Sequence, residues 1–412
     1  MQTQPRPFPR EALGLLGRLA GLALALGAVG VASWVLARHH AGGEVLRFPW
    51  EALHRFVYAG QNPYHTLALL YGQALQDGVA LTPEVYPFHT ALLWFGPLAL
   101  VNNFVTARAL ALSGAILASL ATLAVAGKMF AWRPGKALSA WLGGFVLTWY
   151  FAAQALLSGN VTAVLPLLLL LAWSALRRER DALAGVLLAA AFIRPSLMVG
   201  VVVFVLLWSA SRRRWGVWAG FWGLTIVLMA FSLWLLPSWP LDAARLAIQT
   251  RGSGVSPRAL LVQALPGIGR QLGWLLVVGL GGLTLAEWVA AWGKPSHHAL
   301  WTASLTVWSA LLLAARLIPS DQVLLLVPLL LTWGYWLSRW KAYGRPAVWV
   351  TAGVLWLLPW LWFAPRWQLG APTSPTLAML FVPPLLVLPF LYTVRWWASR
   401  AHVLPLEDEM LS

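Results

Sequence analysis

The sequence predicts an all-α polytopic membrane protein of about twelve transmembrane helices, on three observations. First, 60% of the 412 residues are hydrophobic and only 10% are charged, whereas roughly a quarter of a soluble protein is charged. Second, apolar runs of about 18 residues or more recur along the chain, and backbone polar groups in lipid must be paired within each spanning segment, which selects helices. Third, the basic residues behind the net charge of +16 sit in short clusters between those runs. That placement orients helices and speaks against a nucleic-acid-binding face.

Each segment follows from laying the apolar runs end to end. They cover 12–36, 103–127, 137–154, 160–176, 182–193, 197–210, 215–236, 271–292, 299–317, 322–338, 346–364 and 376–394. Short cytoplasmic loops are enriched in Lys and Arg. With the N-terminus inside, every compact basic cluster falls on that side: Lys128, Arg133 and Lys136; Arg177, Arg178 and Arg180; Arg212, Arg213 and Arg214; Arg339, Lys341 and Arg345. Both termini are then cytoplasmic, in a multi-pass protein of the plasma membrane. The first run follows Arg6 and Arg10 like a signal peptide, but its length and lack of a small-residue cleavage site favour a retained helix.

This layout requires 88–101 not to cross. Its length and its internal Gly96-Pro97 suit a helix lying at the outer interface. The chain then forms a single membrane domain, 1–412, with a first outer loop at 37–102 and a second at 237–270. Within the first loop, 46–59 and 65–77 alternate apolar and polar residues at helical spacing, as interfacial amphipathic helices do. Trp residues near the helix ends fit aromatic belts.

With no cysteine, disulfides, thiolate metal sites and Cys nucleophiles are excluded. No metal or cofactor is expected. Of thirteen acids, Glu44, Glu51, Asp77, Glu84, Asp242 and Asp321 fall outside, and Glu287 lies near the inner end of a helix. No acid falls at mid-membrane, where a charge costs roughly 2.5–3.5 kcal/mol and marks an ion path; that weakens a transporter reading. Arg194, between an apolar run and Pro195 at the outer end of a short hairpin, has the chemistry to grip a phosphate, with a snorkelling anchor as the alternative. Asn62, Tyr64, Tyr86 and His89 offer hydrogen bonds to a polyol, while Pro63 and Pro87 punctuate turns. Asn160 and Thr162 add an amide and a hydroxyl at another outer helix end. Asp321 and Gln322 either contact substrate or cap a helix. Arg251 and Arg258 suit an anionic acceptor or a solvated loop equally.

Gly60-Gln61-Asn62-Pro63-Tyr64, Tyr86-Pro87 with Gly96-Pro97-Leu98-Ala99, Gly159-Asn160-Val161-Thr162, Ile193-Arg194-Pro195 and Arg212-Arg213-Arg214-Trp215 occur in that order over 60–215. The ordered set resembles the polytopic GT-C glycosyltransferases, in particular glycosyltransferase family 87, which includes polyprenol-phosphate-mannose-dependent mannosyltransferases. The stretch 317–332 is similar to a late family segment. The resemblance implies a GT-C-like fold with a large outer loop of interfacial helices after the first span. It also implies transfer of a sugar from a polyprenyl-phosphate donor to a lipid or glycan acceptor on the extracytoplasmic face.

The family mechanism implies a carboxylate base after the first helix and a basic residue on the leaving phosphate. Arg194 matches the basic position. The usual Asp falls at 46, where this chain has Leu46. Glu44 is then the expected base because it follows the helix soonest, with Glu51 and Glu84 as alternatives. The substrate-contacting set is Arg194, Asn62, Tyr64, Glu84, Tyr86, His89, Asn160, Asp321 and Gln322. Two other readings stay open: a transporter or flippase of a lipid-linked substrate, and a non-catalytic relative.

Overall fold

A computed structural model describes residues 10–40, 42–76, 84–132, 134–250, 256–314, 317–340, 342–363 and 379–399. Asp77, Arg251, and the basic residues at 6, 133, 341 and 400 lie outside the described residues, and so does the acidic tail at 407–409. The described chain is all-α, with eighteen α-helices. In order they are α1 Arg10–His39, α2 Glu44–Ala59, α3 Pro63–Gln76, α4 Phe88–Ala99, α5 Phe104–Met129, α6 Lys136–Thr148, α7 Tyr150–Ser158, α8 Leu165–Arg177 and α9 Asp181–Ala191. There follow α10 Pro195–Ser211, α11 Trp215–Leu235, α12 Trp239–Gln249, α13 Pro257–Ala264, α14 Gly269–Ala291, α15 Ser296–Leu313, α16 Leu326–Arg339, α17 Gly344–Phe363 and α18 Val382–Ala398. Single 3-10 turns, Val161–Val164 and Pro319–Leu325, lead into α8 and α16.

Within the described residues, each of the twelve expected segments contains a helix, and 137–154 contains two. Five helices are long and apolar enough to cross a membrane: Ala20–His39 within α1, then α5, α11, α14 and α17. The pair α6 and α7, bent by 51° at Trp149, makes a sixth if taken as one span. The expected 137–154 segment is therefore broken in the middle. Trp149 takes an extended backbone there and its indole donates to the Leu355 carbonyl at 2.8 Å. The chain breaks between the short α9 and α10 at 192–194, just before Pro195, where a break was expected, and the two helices pack on different neighbours, α9 on α8 and α11, α10 on α15. At 12 residues α4 extends only about 18 Å, too short to cross.

Burial divides these helices. In α15 every residue from His297 to Ser309 is buried, so this helix runs through the centre. Its Thr302, Ser304 and Thr306 hydroxyls donate to carbonyls four residues back, which satisfies them without a partner helix. The apolar windows of α1 and α14 are only 11% and 17% buried and present the rest to their surroundings. The closest helix crossing joins α9 to α11. There a Cβ at Gly185 would stand 2.1 Å from the Val217 carbonyl, and one at Gly220 2.0 Å from that of Ala182, so only glycine fits.

Between α1 and α4 the chain folds as expected, into α2 and α3. Leu46, Pro49, Trp50, Ala52 and Leu53 form the buried face of α2. Three α2 side chains then satisfy carbonyls at the end of α4: Trp50 Nε1 donates to Leu98, His54 Nδ1 to Ala99 and Tyr58 Oη to Leu100. Between α11 and α14 the described residues form α12 and α13, begun by a Trp-Pro and a Ser-Pro pair that suit the first helical turn.

Candidate functional site

Arg194 joins α9 to α10 as the residue just before Pro195. Its carbonyl accepts from the Leu197 and Met198 amides, both at 3.0 Å, and Pro195 opens α10 without needing a donor partner. The side chain turns inward and is buried. Its Nη1 lies 2.6 Å from Glu84 Oε1 and 2.9 Å from Asp321 Oδ1, and its Nη2 donates to Asp321 Oδ2 at 3.1 Å. One guanidinium is thus held between two buried carboxylates from distant parts of the chain.

Local structure fixes each member. Asp321 sits in the Pro319–Leu325 turn with no exposed surface, and its Oδ2 also accepts the Ile318 amide at 3.1 Å. Glu84 is clamped through its backbone by one side chain: Tyr71 Oη donates to the Glu84 carbonyl at 2.9 Å and accepts from its amide at 3.1 Å. The Tyr86 hydroxyl donates to Glu84 Oε2 in a very short hydrogen bond. Tyr64 Oη in turn donates to the Tyr86 carbonyl at 2.9 Å. On the far side Asn160 accepts from the Thr162 amide and donates to Ser320 Oγ at 2.8 Å. That bond ties the two 3-10 turns together next to Asp321.

Charge balance follows from these distances. Burial alone would lower the Arg194 pKa, but the charges of Asp321 and Glu84 outweigh it and raise it, so the guanidinium stays charged. Burial pushes Asp321 up to about 7; Arg194 pulls it down, while Glu84 adds to the upward push. Burial and the neighbouring Glu84 charge raise the Tyr86 pKa, so its hydroxyl remains a donor.

A cleft of about 210 Å³ opens beside this cluster. Glu84, Tyr86, Arg194 and Ser196 line one side and Ala247 and Thr250, from the end of α12, the other. A second cavity of about 280 Å³ is apolar and lies between α4, α5 and α7, lined by Leu46, Trp94, Phe95, Leu156 and Val161. Asn160 borders it too, and the Tyr86 ring packs on Phe95 at 5.2 Å. The packed rings of Tyr86, on the first cavity, and Phe95, on the second, therefore stand between the two.

Of the residues expected to contact substrate, Glu84, Tyr86, Arg194 and Asp321 come together directly, and Asn160 and Tyr64 support them. Asn62 lies in an adjoining layer. It accepts from the Tyr64 amide and donates to Asp242 Oδ2 at 2.8 Å, joining α3 to α12. His89 is buried against the Trp239 ring, 5.5 Å away, and burial lowers its pKa. Gln322 faces elsewhere, donating to the Leu380 carbonyl at 2.7 Å. Neither expected base is in the cluster. Glu44 is the exposed first residue of α2, and Glu51 is paired with Arg47 and Arg55 along that helix. Arg258, named with Arg251 as an anion contact, has its guanidinium 4.3 Å from the centre of the Trp274 ring.

Sequence reasoning missed Tyr71, the double clamp on Glu84, because a tyrosine on an amphipathic helix carries no motif. It also missed Ala247 and Thr250; the Pro-started α12 that brings them was legible at Trp239-Pro240.

No protein-family model matches the chain, and no curated protein or solved structure matches it either. What the arrangement can do chemically rests on its own groups. A carboxylate at the edge of a cleft, held by a cation and a phenol, can accept a hydrogen bond or a proton from a hydroxyl ligand. The apolar cavity behind it can take a hydrocarbon chain.

Proposed function

We propose that this protein is a membrane glycosyltransferase of the GT-C type. It moves a mannose-like hexose or a pentose from a polyprenyl-phosphate donor to a lipid or glycan acceptor on the extracytoplasmic face. In this reading the chain crosses the plasma membrane twelve times, with both termini in the cytoplasm. The carrying observation is convergence: Tyr86 and the Ile193-Arg194-Pro195 motif line one cleft, Asp321 of the late segment pairs with Arg194 behind it, and Asn160 bonds Ser320 beside Asp321. An apolar cavity next to a cleft that carries Glu84, Arg194, Ser196 and Thr250 suits a substrate that is part hydrocarbon and part sugar.

One observation favours a second reading, a non-catalytic relative. Leu46, at the family's base position, is buried and lies against Gly159, whose left-handed backbone (φ 72°) is glycine's. Transfer of radiolabelled mannose from polyprenyl-phosphate mannose into lipid or glycan, measured in membranes with and without the protein, separates the two. Protein-dependent product supports the enzyme; its absence across hexose and pentose donors supports the non-catalytic relative.

A further inference from the structure

Resting on the glycosyltransferase reading, we infer that Glu84 is the general base of the transfer and that Arg194 and Asp321 are positioning residues that hold it. The Glu84 carboxylate takes the proton of the acceptor hydroxyl as that oxygen bonds to the anomeric carbon of the sugar. The bond from that carbon to the phosphate oxygen breaks, and its electron pair leaves with the polyprenyl phosphate. The proton ends on Glu84 and passes to solvent through the cleft.

Three observations carry this. A base must come within hydrogen-bond reach of the proton it takes, and Glu84 is the one carboxylate among the described residues that lines the cleft. Asp321 is fully buried, with Oδ2 occupied by Arg194 and the Ile318 amide and Oδ1 against Arg194. The other candidates are elsewhere: position 46 is an apolar side chain in the neighbouring cavity, Glu44 heads α2, and Glu51 is ion-paired along it.

The surroundings of Glu84 fit the role. Arg194, Asp321, Tyr86 and Tyr71 are the titratable groups that face it. Arg194 lies against Oε1, which is buried, and Tyr86 donates to Oε2, which retains a second lone pair. Two carboxylates against one guanidinium leave no surplus positive charge for a phosphate. Arg194 therefore acts through Glu84.

The test uses the full-length protein in lipid nanodiscs, with radiolabelled polyprenyl-phosphate mannose as donor and a native membrane lipid extract as acceptor. Glu84→Gln is expected to lower kcat by about 10²–10⁴-fold with the donor KM changed less than about threefold. In Glu84→Ala, sodium formate is expected to restore transfer about tenfold by taking the vacated place beside Arg194. A merely structural role moves neither readout in this way. Glu84→Asp keeps the charge and guards against misfolding: a slower kcat at unchanged KM is expected, and wild-type kcat would overturn the assignment. Wild-type transfer with an unimpaired Glu84→Gln, or loss in Glu44→Gln alone, also overturns it while leaving the glycosyltransferase reading intact. No transfer by the wild-type protein brings down that reading, and the base assignment with it.

Discussion

Two arginines in this protein are equally buried, at 6% exposure each, and they do different things. Arg108, near the start of α5, meets only carbonyl oxygens in the hydrogen bonds it makes: Nη1 donates to Ala37 and His40 at 3.2 and 2.9 Å, and Nη2 to Leu157 at 3.2 Å. These belong to the ends of α1 and α7, where the last carbonyls of a helix have no partner of their own. The Gly42-Gly43 backbone closes over its guanidinium, and a Cβ at Gly43 would stand 2.7 Å from Arg108 Nε. Glu44 is close enough to Arg108 to act on it by charge but makes no ion pair with it, whereas Arg194 is ion-paired to two carboxylates and its cluster opens on a cleft. A buried charge in a helical membrane protein thus does not mark a site by itself. What marks it is a set of ionisable partners beside space for a ligand.

That contrast is open to experiment. The largest stability effect is expected for Arg194→Met, because removing one partner of a buried ion pair leaves uncompensated charge and costs about 3–5 kcal/mol. Thermal unfolding in detergent measures it, and Asp321→Asn in the same chain is expected to recover part of the loss. Arg108→Met is expected to cost less, about 1–3 kcal/mol for orphaned acceptors, and to leave the donor KM alone. Equal costs for the two, or a KM change for Arg108→Met, would erase the distinction.

A third effect is expected with pH. Asp321, pushed up to about 7 by burial, keeps its proton in the fold at pH values where an unfolded Asp, near 3.9, has released it. Between about pH 4 and 7 the folded state then binds more protons, so stability falls as pH rises through that window. Melting curves at pH 5 and pH 8 are expected to show the decline in the wild type and a flatter profile in Asp321→Asn. Asn62→Ala removes one neutral-to-charged link between α3 and α12 and is expected to cost about 1–2 kcal/mol. Smallest is Glu51→Gln, whose i, i+4 contacts are solvated and contribute about 0.5 kcal/mol or less.

Helices and their punctuation were readable in the chain because hydrophobic periodicity and Pro or Gly breaks are local signals. The segments 46–59 and 65–77 emerge as α2 Glu44–Ala59 and α3 Pro63–Gln76, and 88–101 as the short α4 Phe88–Ala99. The bend at Trp149 was not readable, since no Pro or Gly stands at it and the indole's partner there, the Leu355 carbonyl, is 206 residues away. The site was half readable. Glu84, Tyr86, Arg194 and Asp321 each stood out as a polar group at an outer helix end. That Arg194 pairs with Asp321, 127 residues on, is a tertiary fact with no periodic trace in one sequence. The same limit explains why Glu44 looked nearest to the mechanism. Distance along the chain from the first helix favoured it, while the fold brings Glu84 to the cleft.

The measurement that bears most directly on the function is transfer by the purified protein in proteoliposomes loaded with radiolabelled polyprenyl-phosphate mannose and acceptor lipid. Labelled product that depends on the protein and is lost in Arg194→Met is the predicted result. Movement of intact donor across the bilayer with no transfer product would contradict it and make this protein a lipid translocator.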